Sequence, residues 1–422
     1  ILTPLMKVAI IGIGYVGLPL LLELSKKKFK TFGYDIDKKK ISLLKKNISY
    51  ISDASNKEIK ILNKDNLFSK FNNRLSEINY IIICLPTPLK KNEPDISYIY
   101  SAFDSIKPYL KKNQTIILES TVYPGATKEI FYKELSKKFQ LGKNFFLGFS
   151  PERINPGQNN NKESKIKIFD TTKIISGFSN NCVQKVNFFY KKLFKKIHVC
   201  ESLEIAELTK LFENSFRSVN IGLVNELKMM CSKVNINFHN IITAASTKPF
   251  GFKRFDPGPG LGGHCIPIDP LFINWYAKKN NFNTKFIKLA SKINKETTDW
   301  VIQKIKSHIS GNDYNILILG VAYKKNVNDV RESPALKIIK NIKKINKVRL
   351  DFNDPYISSI IIDNEKMISK PLIYKNLKKY NSVVIVSDHD VYKYNLILKY
   401  SKKVFDTRGV YKDIKSPKII NV

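Results

Sequence analysis

A chain of 422 residues is longer than one hydrophobic core usually serves, so two or three domains are expected and a small binding module is excluded. With 43% hydrophobic residues it can bury those cores, which excludes wholesale disorder. The 72 Lys and Arg against 36 Asp and Glu leave a charge of +36, which raises nucleic acid, an anionic membrane or a phosphorylated ligand as partners. The lysines are spread along the whole chain among Asn and Ile, with no RNP, zinc or helix-turn-helix signature, so no nucleic-acid partner is expected.

The longest uncharged apolar stretch, Val8 to Leu22, falls short of the ~20 residues of a membrane span and holds Gly12, Gly14 and Gly17, so no membrane insertion is expected. Residues 1–5 precede Met6 without the features of a secretory signal, and a cytoplasmic protein is expected. Cys84, Cys182, Cys200, Cys231 and Cys265 are odd in number and form no C-x-x-C, which argues against a disulfide scaffold or zinc ribbon. No metal site is expected.

In chain order, short β-branched runs predict strands at Lys7 to Ile13, Lys30 to Tyr34, Tyr80 to Leu85, Thr115 to Glu119 and Phe145 to Phe149, separated by helical patterns. Such runs, apolar on both faces, suit a parallel sheet with crossover helices. From Ser202 to Val234 the spacing of Leu203, Ala206, Leu211, Phe212, Phe216, Val219, Leu223, Val224 and Leu227 predicts one long amphipathic helix connecting domains. The stretch PGPGLGGHCIPID, ending at Asp269, is too dense in turn formers for helix or strand and reads as an ordered loop. A second α/β pattern opens at Asn315 to Leu319, continues through Val348 to Phe352 and Ser382 to Val386, and ends with Val404 and Phe405.

Gly12, Gly14 and Gly17 form a G-x-G-x-x-G between a predicted strand and a predicted helix, with Tyr15 and Val16 inside it, and Asp35 ends the next strand about 20 residues on. The glycines allow pyrophosphate to approach the helix N-terminus, and the carboxylate bonds a ribose 2′-OH while repelling a 2′-phosphate, which favours NAD over NADP. The fold class expected is α/β, two doubly wound Rossmann-like domains joined by a long central helix, with boundaries at 1–199, 200–310 and 311–422.

Cys84, inside an apolar run, reads as core packing. Cys265 differs, because glycines at 258, 260, 262 and 263 bring backbone close and Asp269 follows one short turn later. A thiol beside a nicotinamide site suggests covalent aldehyde oxidation, in which hydride leaves a hemithioacetal and water cleaves the thioester. Glu152, just past a predicted strand end, is a candidate general base or an ordinary partner of Arg153. Glu207, Lys210, Asn214 and Arg217 share one helix face, either as a solvated stripe or as a wall where Lys210 and Asn214 stabilise an alkoxide. His264 is adjacent to the cysteine, but sequence neighbours in a tight turn point apart.

At these residues the chain resembles the UDP-glucose/GDP-mannose dehydrogenase family, with GIGYVGLPL, LPTP, ESTVYPG, SPERINPG, ELTKLFENSFRSVNIGLVNEL, GLGGHCIPIDP, GVAYKKNVNDVRESPAL and FDTRGV in the family's order. The resemblance implies oxidation of a nucleotide sugar's C6 alcohol to a carboxylate in two NAD-dependent steps. It implies Cys265 as nucleophile, Lys210 and Asn214 as oxyanion stabilisers, Asp269 and Thr121 ordering water and proton transfers, and Glu152 as base in thioester hydrolysis. It also gives Thr87, Thr121 and Arg331 to NAD, and Glu152, Arg153, Arg254, Gly262, Lys324 or Lys325, and Arg408 to the sugar nucleotide. Pairing through the central helix into a homodimer or larger assembly follows from the same resemblance. SPERINPG and GGHCIPIDP look more like the branch acting on UDP-N-acetylhexosamines, which points to a UDP-GlcNAc 6-dehydrogenase serving surface polysaccharide, with UDP-ManNAc or UDP-glucose as alternatives.

Overall fold

The computed structural model describes residues 6–51, 53–153, 168–263, 265–311 and 313–422. The chain divides into two compact units, one of residues up to Glu213 together with Leu271–Phe282, the other of Asn214–Pro270 together with Asn283–Val422.

In the first unit β1 (Lys7–Ile11), α1 (Gly17–Lys26), β2 (Lys30–Tyr34), β3 (Leu67–Phe68), β4 (Tyr80–Ile83), β5 (Thr115–Leu118), α2 (Ala126–Leu135), β6 (Phe146–Phe149), β7 (Lys173–Gly177), α3 (Asn180–Tyr190) and β8 (Ile197–Val199) follow one another. Their strands form one sheet in the order β8-β7-β6-β5-β4-β1-β2-β3. The apolar runs divide by alternation. Ala9, Ile11, Ile81, Ile83, Ile116 and Leu118 pack into one core, and Val8, Ile10, Tyr80, Ile82 and Ile117 into another on the opposite face. Each fully buried Ile or Leu contributes roughly 1.5–3 kcal/mol of hydrophobic stabilisation, so strands four or five residues long suffice.

Two expectations shift here. β1 ends at Ile11 because Gly12 turns to φ +89°, which extended backbone cannot continue. β7 runs antiparallel to β6, with Gly148 opposite Gly177, and β8 runs parallel to β7, so these two strands reverse an otherwise parallel sheet. A run buried on both faces reads the same in either direction, so periodicity carries no strand polarity.

The long helix α4 spans Leu203–Lys233, 31 residues, as its spacing predicts. Its apolar residues occupy two faces rather than one. Leu203, Ala206, Leu211 and Val224 are buried, while Phe212, Phe216, Leu223 and Leu227 are exposed. The buried face instead takes Glu207, Lys210, Asn225 and Lys228. Glu207 and Lys210 are therefore not part of a solvated stripe, although Arg217 is exposed.

In the second unit, α5 (Asp269–Lys279) begins at its border, and α6 (Lys285–Lys306), β9 (Tyr314–Leu319), α7 (Pro334–Lys343), β10 (Val348–Asn353), β11 (Ser382–Ile385), β12 (Val404–Asp406) and β13 (Ile419–Asn421) follow. The sheet is wholly parallel, in the order β10-β9-β11-β12-β13. Ile316, Ile318 and Val384 face one core, and Leu317, Leu319, Val383 and Ile385 the other. Ser333 caps α7 by accepting from the Ala335 amide, with Pro334 in the first turn where its missing N–H costs nothing. Among the described residues no helix is long and apolar enough to cross a membrane.

Candidate active site

The turn between β1 and α1 is a cradle shaped by its glycines. A Cβ on Gly12 would lie 2.5 Å from the Cys84 carbonyl oxygen, and one on Gly17 would lie 2.0 Å from the Gly12 oxygen, whereas one on Gly14 would meet nothing within 4 Å. Two glycines thus close the turn onto the sheet and the third leaves room for a ligand at the start of α1. Asp35, just past β2, accepts from the Ile13 amide at 3.0 Å and the Asp37 amide at 3.0 Å, and pairs with Lys40 Nζ at 3.2 Å. A carboxylate offers about four lone-pair directions, so capacity remains for ribose hydroxyls. Tyr50 donates to the Ile13 carbonyl, tying the turn down from the other side. Gly12, Asp35, Ile36, Tyr98 and Tyr109 line a cavity of about 410 Å³. Open backbone at the helix start, a carboxylate with spare lone pairs beside it and an apolar slot fit a dinucleotide such as NAD.

Beyond this turn the ends of β4 and β5 meet. The Leu85 amide donates to Ser120 Oγ at 2.9 Å, and Thr87 Oγ1 donates to the Thr121 carbonyl at 2.7 Å, so Thr87 and Thr121 stand together. Cys84 lies just past β4 and is half-buried, not enclosed in the core. Burial, then the nearby Glu119 and Glu152, push its thiol well above the usual range, so it stays an inert thiol. Glu207 accepts from the Gly125 and Thr127 amides at 2.5 and 2.9 Å and from Thr127 Oγ1 at 2.6 Å, capping the start of α2. Burial nonetheless pushes its carboxyl up to about 7. Lys210, one turn further along α4, is 9% exposed.

Glu152 and Arg153 follow β6. Arg153 spends its guanidinium on Glu213, at 2.6 Å, and on the Thr172 carbonyl, at 2.7 Å. Glu152 lies 3.5 Å from the Nζ of Lys173, which also contacts Glu119 at 3.0 Å. Sequence reasoning overlooked Lys173, Glu119 and Tyr50. A charge ending or opening an apolar strand, as in TIILE and KIISG, is the one signal that could have marked the first two.

In the second unit Asn214 Nδ2 donates to Asp269 Oδ2 at 2.5 Å, and Asp269 is buried. Cys265 is exposed, and its carbonyl accepts from the amides of Ile268 and Asp269 at 3.1 and 2.8 Å, so the thiol sits one turn before α5. The glycine loop packs tightly. The Gly263 amide, at φ +88°, donates to the Arg331 carbonyl at 3.0 Å, and a Cβ on Gly262 would lie 2.8 Å from Tyr323 Cβ. Gly258 lies against the Arg408 guanidinium, whose Nε donates to the Val386 carbonyl at 2.8 Å. Gly262, Arg331 and Arg408 are thereby gathered around one loop. Arg331 pairs with Asp329 at 2.7 Å, Arg254 with Asp256 at 2.8 Å, and Lys325 with Asp390 at 3.4 Å, while Lys324 is half-buried beside it. His264 and the 154–157 portion of SPERINPG lie outside the described residues.

The models of the UDP-glucose/GDP-mannose dehydrogenase family match in sequence, the NAD binding domain over residues 6–195, the central domain over 204–296 and the UDP binding domain over 317–413. The chain is 31% identical to a UDP-N-acetyl-D-glucosamine 6-dehydrogenase of Pseudomonas aeruginosa, covering 97% of this chain and 96% of that one. It is also 31% identical to a UDP-N-acetyl-D-mannosamine dehydrogenase of Methanocaldococcus jannaschii, covering 96% and 92%. The solved UDP-D-ManNAc dehydrogenase of Pyrococcus horikoshii superposes with a TM-score of 0.85 at 27% identity, covering 98% and 97%. With an NAD cradle in one α/β unit and a glycine-lined cysteine turn in the other, the chain belongs to the UDP-glucose/GDP-mannose dehydrogenase family of NAD-dependent oxidoreductases.

Proposed function

We propose that the protein is a cytoplasmic UDP-N-acetylglucosamine 6-dehydrogenase that converts the C6 alcohol to a carboxylate for surface polysaccharide synthesis. The observation that carries this reading is the Asn214–Asp269 hydrogen bond at 2.5 Å, four residues beyond an exposed Cys265. It joins a carboxamide on α4 to a buried carboxylate at the start of α5, one turn after the thiol.

NAD, when bound, accepts a hydride from C6 at each of two steps. The residues of the chain do the rest. The Cys265 sulfur adds to the C6 aldehyde left by the first step, and the resulting thiohemiacetal becomes a thioester in the second. Lys210 and Asn214 stabilise the negative oxygen on C6, as donors fixed in advance are suited to do. Asp269 and Thr121 order the water and the proton transfers, and Glu152 takes a proton from the water that attacks the thioester carbon. The C–S bond breaks and the thiol is restored. One alcohol, one water and two NAD+ become one acid, two NADH and two protons. Arg153, Arg254, Gly262, Lys324 and Arg408 are read as contacts to the sugar nucleotide and Arg331 as a contact to NAD.

The sugar is the finer part of this reading. UDP-ManNAc is the second candidate, because relatives bearing both names are 31% identical to the chain. Counting NADH formed per sugar across UDP-GlcNAc, UDP-ManNAc and UDP-glucose decides it. Two equivalents with UDP-GlcNAc and a slower rate with the others are expected, and preference for either rival overturns the choice.

We further propose a homodimer through α4. Phe216, Leu223, Leu227, Met230 and Val234 recur every three to seven residues, each 37–55% exposed, and an isologous partner would bury them. Leu223→Lys with Leu227→Lys should give a monomer in sedimentation, and an unchanged mass argues against this surface.

A further inference from the structure

The ends of three strands bring an unusual set of groups together in the first unit. Glu119 follows β5, Pro151 and Glu152 follow β6, and Lys173 opens the antiparallel β7 beside them. The Lys173 ammonium lies 3.0 Å from Glu119 Oε1, 3.5 Å from Glu152 Oε2 and 3.4 Å from the Pro151 carbonyl. The rings of Tyr190 and Phe194 close its other side at 5.1 and 5.4 Å. The lysine side chain is 4% exposed, Glu119 0% and Glu152 16%. Tyr190 donates to Glu119 Oε1, while Glu119 Oε2 is buried with no hydrogen-bond partner among the described residues. Cys84 also faces the cluster, and burial, then Glu119 and Glu152, push its thiol well above its usual range. Arg153 beside Glu152 directs its guanidinium to Glu213 instead.

An ammonium this deeply buried persists only with anionic partners. Burial by itself pushes Lys173 down, but Glu119 and Glu152 outweigh it and hold the lysine above its usual range. The two carboxylates, in turn, repel each other, and without a cation between them one would keep its proton. A general base has to be ionised and aimed, and a proton held at this spot would silence it.

We infer that Lys173 is a positioning residue for Glu152, its ammonium fixing the direction in which that carboxylate points, with Glu119 competing for the same ammonium. This rests on the reading of Glu152 as the base in thioester hydrolysis. Lys173 touches neither sugar nor cofactor in this scheme and acts through Glu152 alone. The outer carboxylate, 16% exposed, is the reactive one, and the inner one lies closer to the ammonium. Because Glu119 is the nearer partner, removing its charge gives the ammonium wholly to Glu152, whereas removing the lysine leaves two carboxylates facing each other. The two changes therefore displace the acidic limb of the pH profile in opposite directions.

The test measures kcat against pH in full-length protein with whichever of UDP-GlcNAc and UDP-ManNAc it oxidises, together with the thioester on Cys265 trapped by acid quench and mass spectrometry. Glu119→Gln should move the acidic limb to lower pH, and Lys173→Met should move it to higher pH by about one unit and accumulate thioester at neutral pH. Glu152→Gln is the control and should slow acid formation by about 10²–10⁴-fold. If Glu152→Gln fails to turn over while the other variants keep the parent's limb, the inference about Lys173 is overturned and the reading of Glu152 stands. If Glu152→Gln makes acid at the parent's rate, that reading falls and the inference with it. Should Lys173→Met not fold, the downward shift in Glu119→Gln decides alone.

Discussion

Each of the two α/β units buries a lysine, and they hold it in opposite ways. In the first, Lys173 is clamped between the carboxylates of Glu119 and Glu152 and kept protonated. In the second, Lys228 on α4 meets main-chain oxygens, those of Thr407 at 3.1 Å and of Val422. Burial pushes it down to about 7, with Asp406 opposing and Arg408 adding to the shift. The same side chain, at equal depth, is a fixed cation where two carboxylates contact it and a titratable amine where main-chain oxygens contact it and Asp406 acts without contact. The units also divide the proposed chemistry, with the cradle and Glu152 in one and Cys265, Asn214 and Asp269 in the other.

That division predicts the largest effect. Cys265→Ala should abolish acid formation, a loss of at least about 10³-fold, while leaving NAD and UDP-sugar binding within a few-fold of the parent. Gly17→Val should lose NAD binding itself, and acid formation with it, since its side chain would strike the Gly12 carbonyl and close the turn against NAD. Calorimetric titration with NAD separates the two, and acid formation by Cys265→Ala at the parent's rate would sink the covalent scheme.

The next effect tests the lysines as structure. Lys173→Met leaves Glu119 buried without its cation and should cost about 3–5 kcal/mol in denaturant unfolding. Lys228→Met takes the donor from two main-chain oxygens and removes a costly charge, so it should stay within about 1.5 kcal/mol at pH 8. Equal losses would mean that the two environments are not different in kind.

Much of this architecture is legible in the chain. Runs such as KVAII and YNILIL, apolar at nearly every position, mark strands buried on both faces, and the spacing of the three glycines with Asp35 is enough to mark the cradle. What the runs lack is direction, so the reversal of β7 and β8 escaped, and with it the meeting of Lys173 and Glu119, residues 54 apart in sequence, since 173 − 119 = 54. The helix α4 shows a second limit. Spacing identifies its apolar residues but not which face meets the core, because Glu207 and Lys228 are buried by partners more than 75 residues away, as the separations of 80 and 179 show. Asn214 and Asp269 stand out by chemistry, and their hydrogen bond depends on a loop whose path no local pattern specifies.

The smallest predicted effect per unit of pH comes from Lys228 and has a definite sign. Unfolded, the lysine keeps its proton up to its ordinary value of 10.5, and folded it releases it near 7. Between those values the unfolded chain binds one more proton, so this residue makes stability rise with pH by about 1.4 kcal/mol per unit, and that gain is lost as pH falls towards 7. His239, which packs against Gly409 nearby, is pushed below its usual range chiefly by burial and is already neutral in this window. Cys84 acts in the opposite sense once an unfolded thiol would ionise, which makes the interval from about pH 7 to about 8.5 the cleaner one. Subtracting the unfolding free energy of Lys228→Met from that of the parent removes all groups common to both. The difference should climb through this interval, and one that stays level would show that Lys228 is held as firmly as Lys173, erasing the contrast between the units.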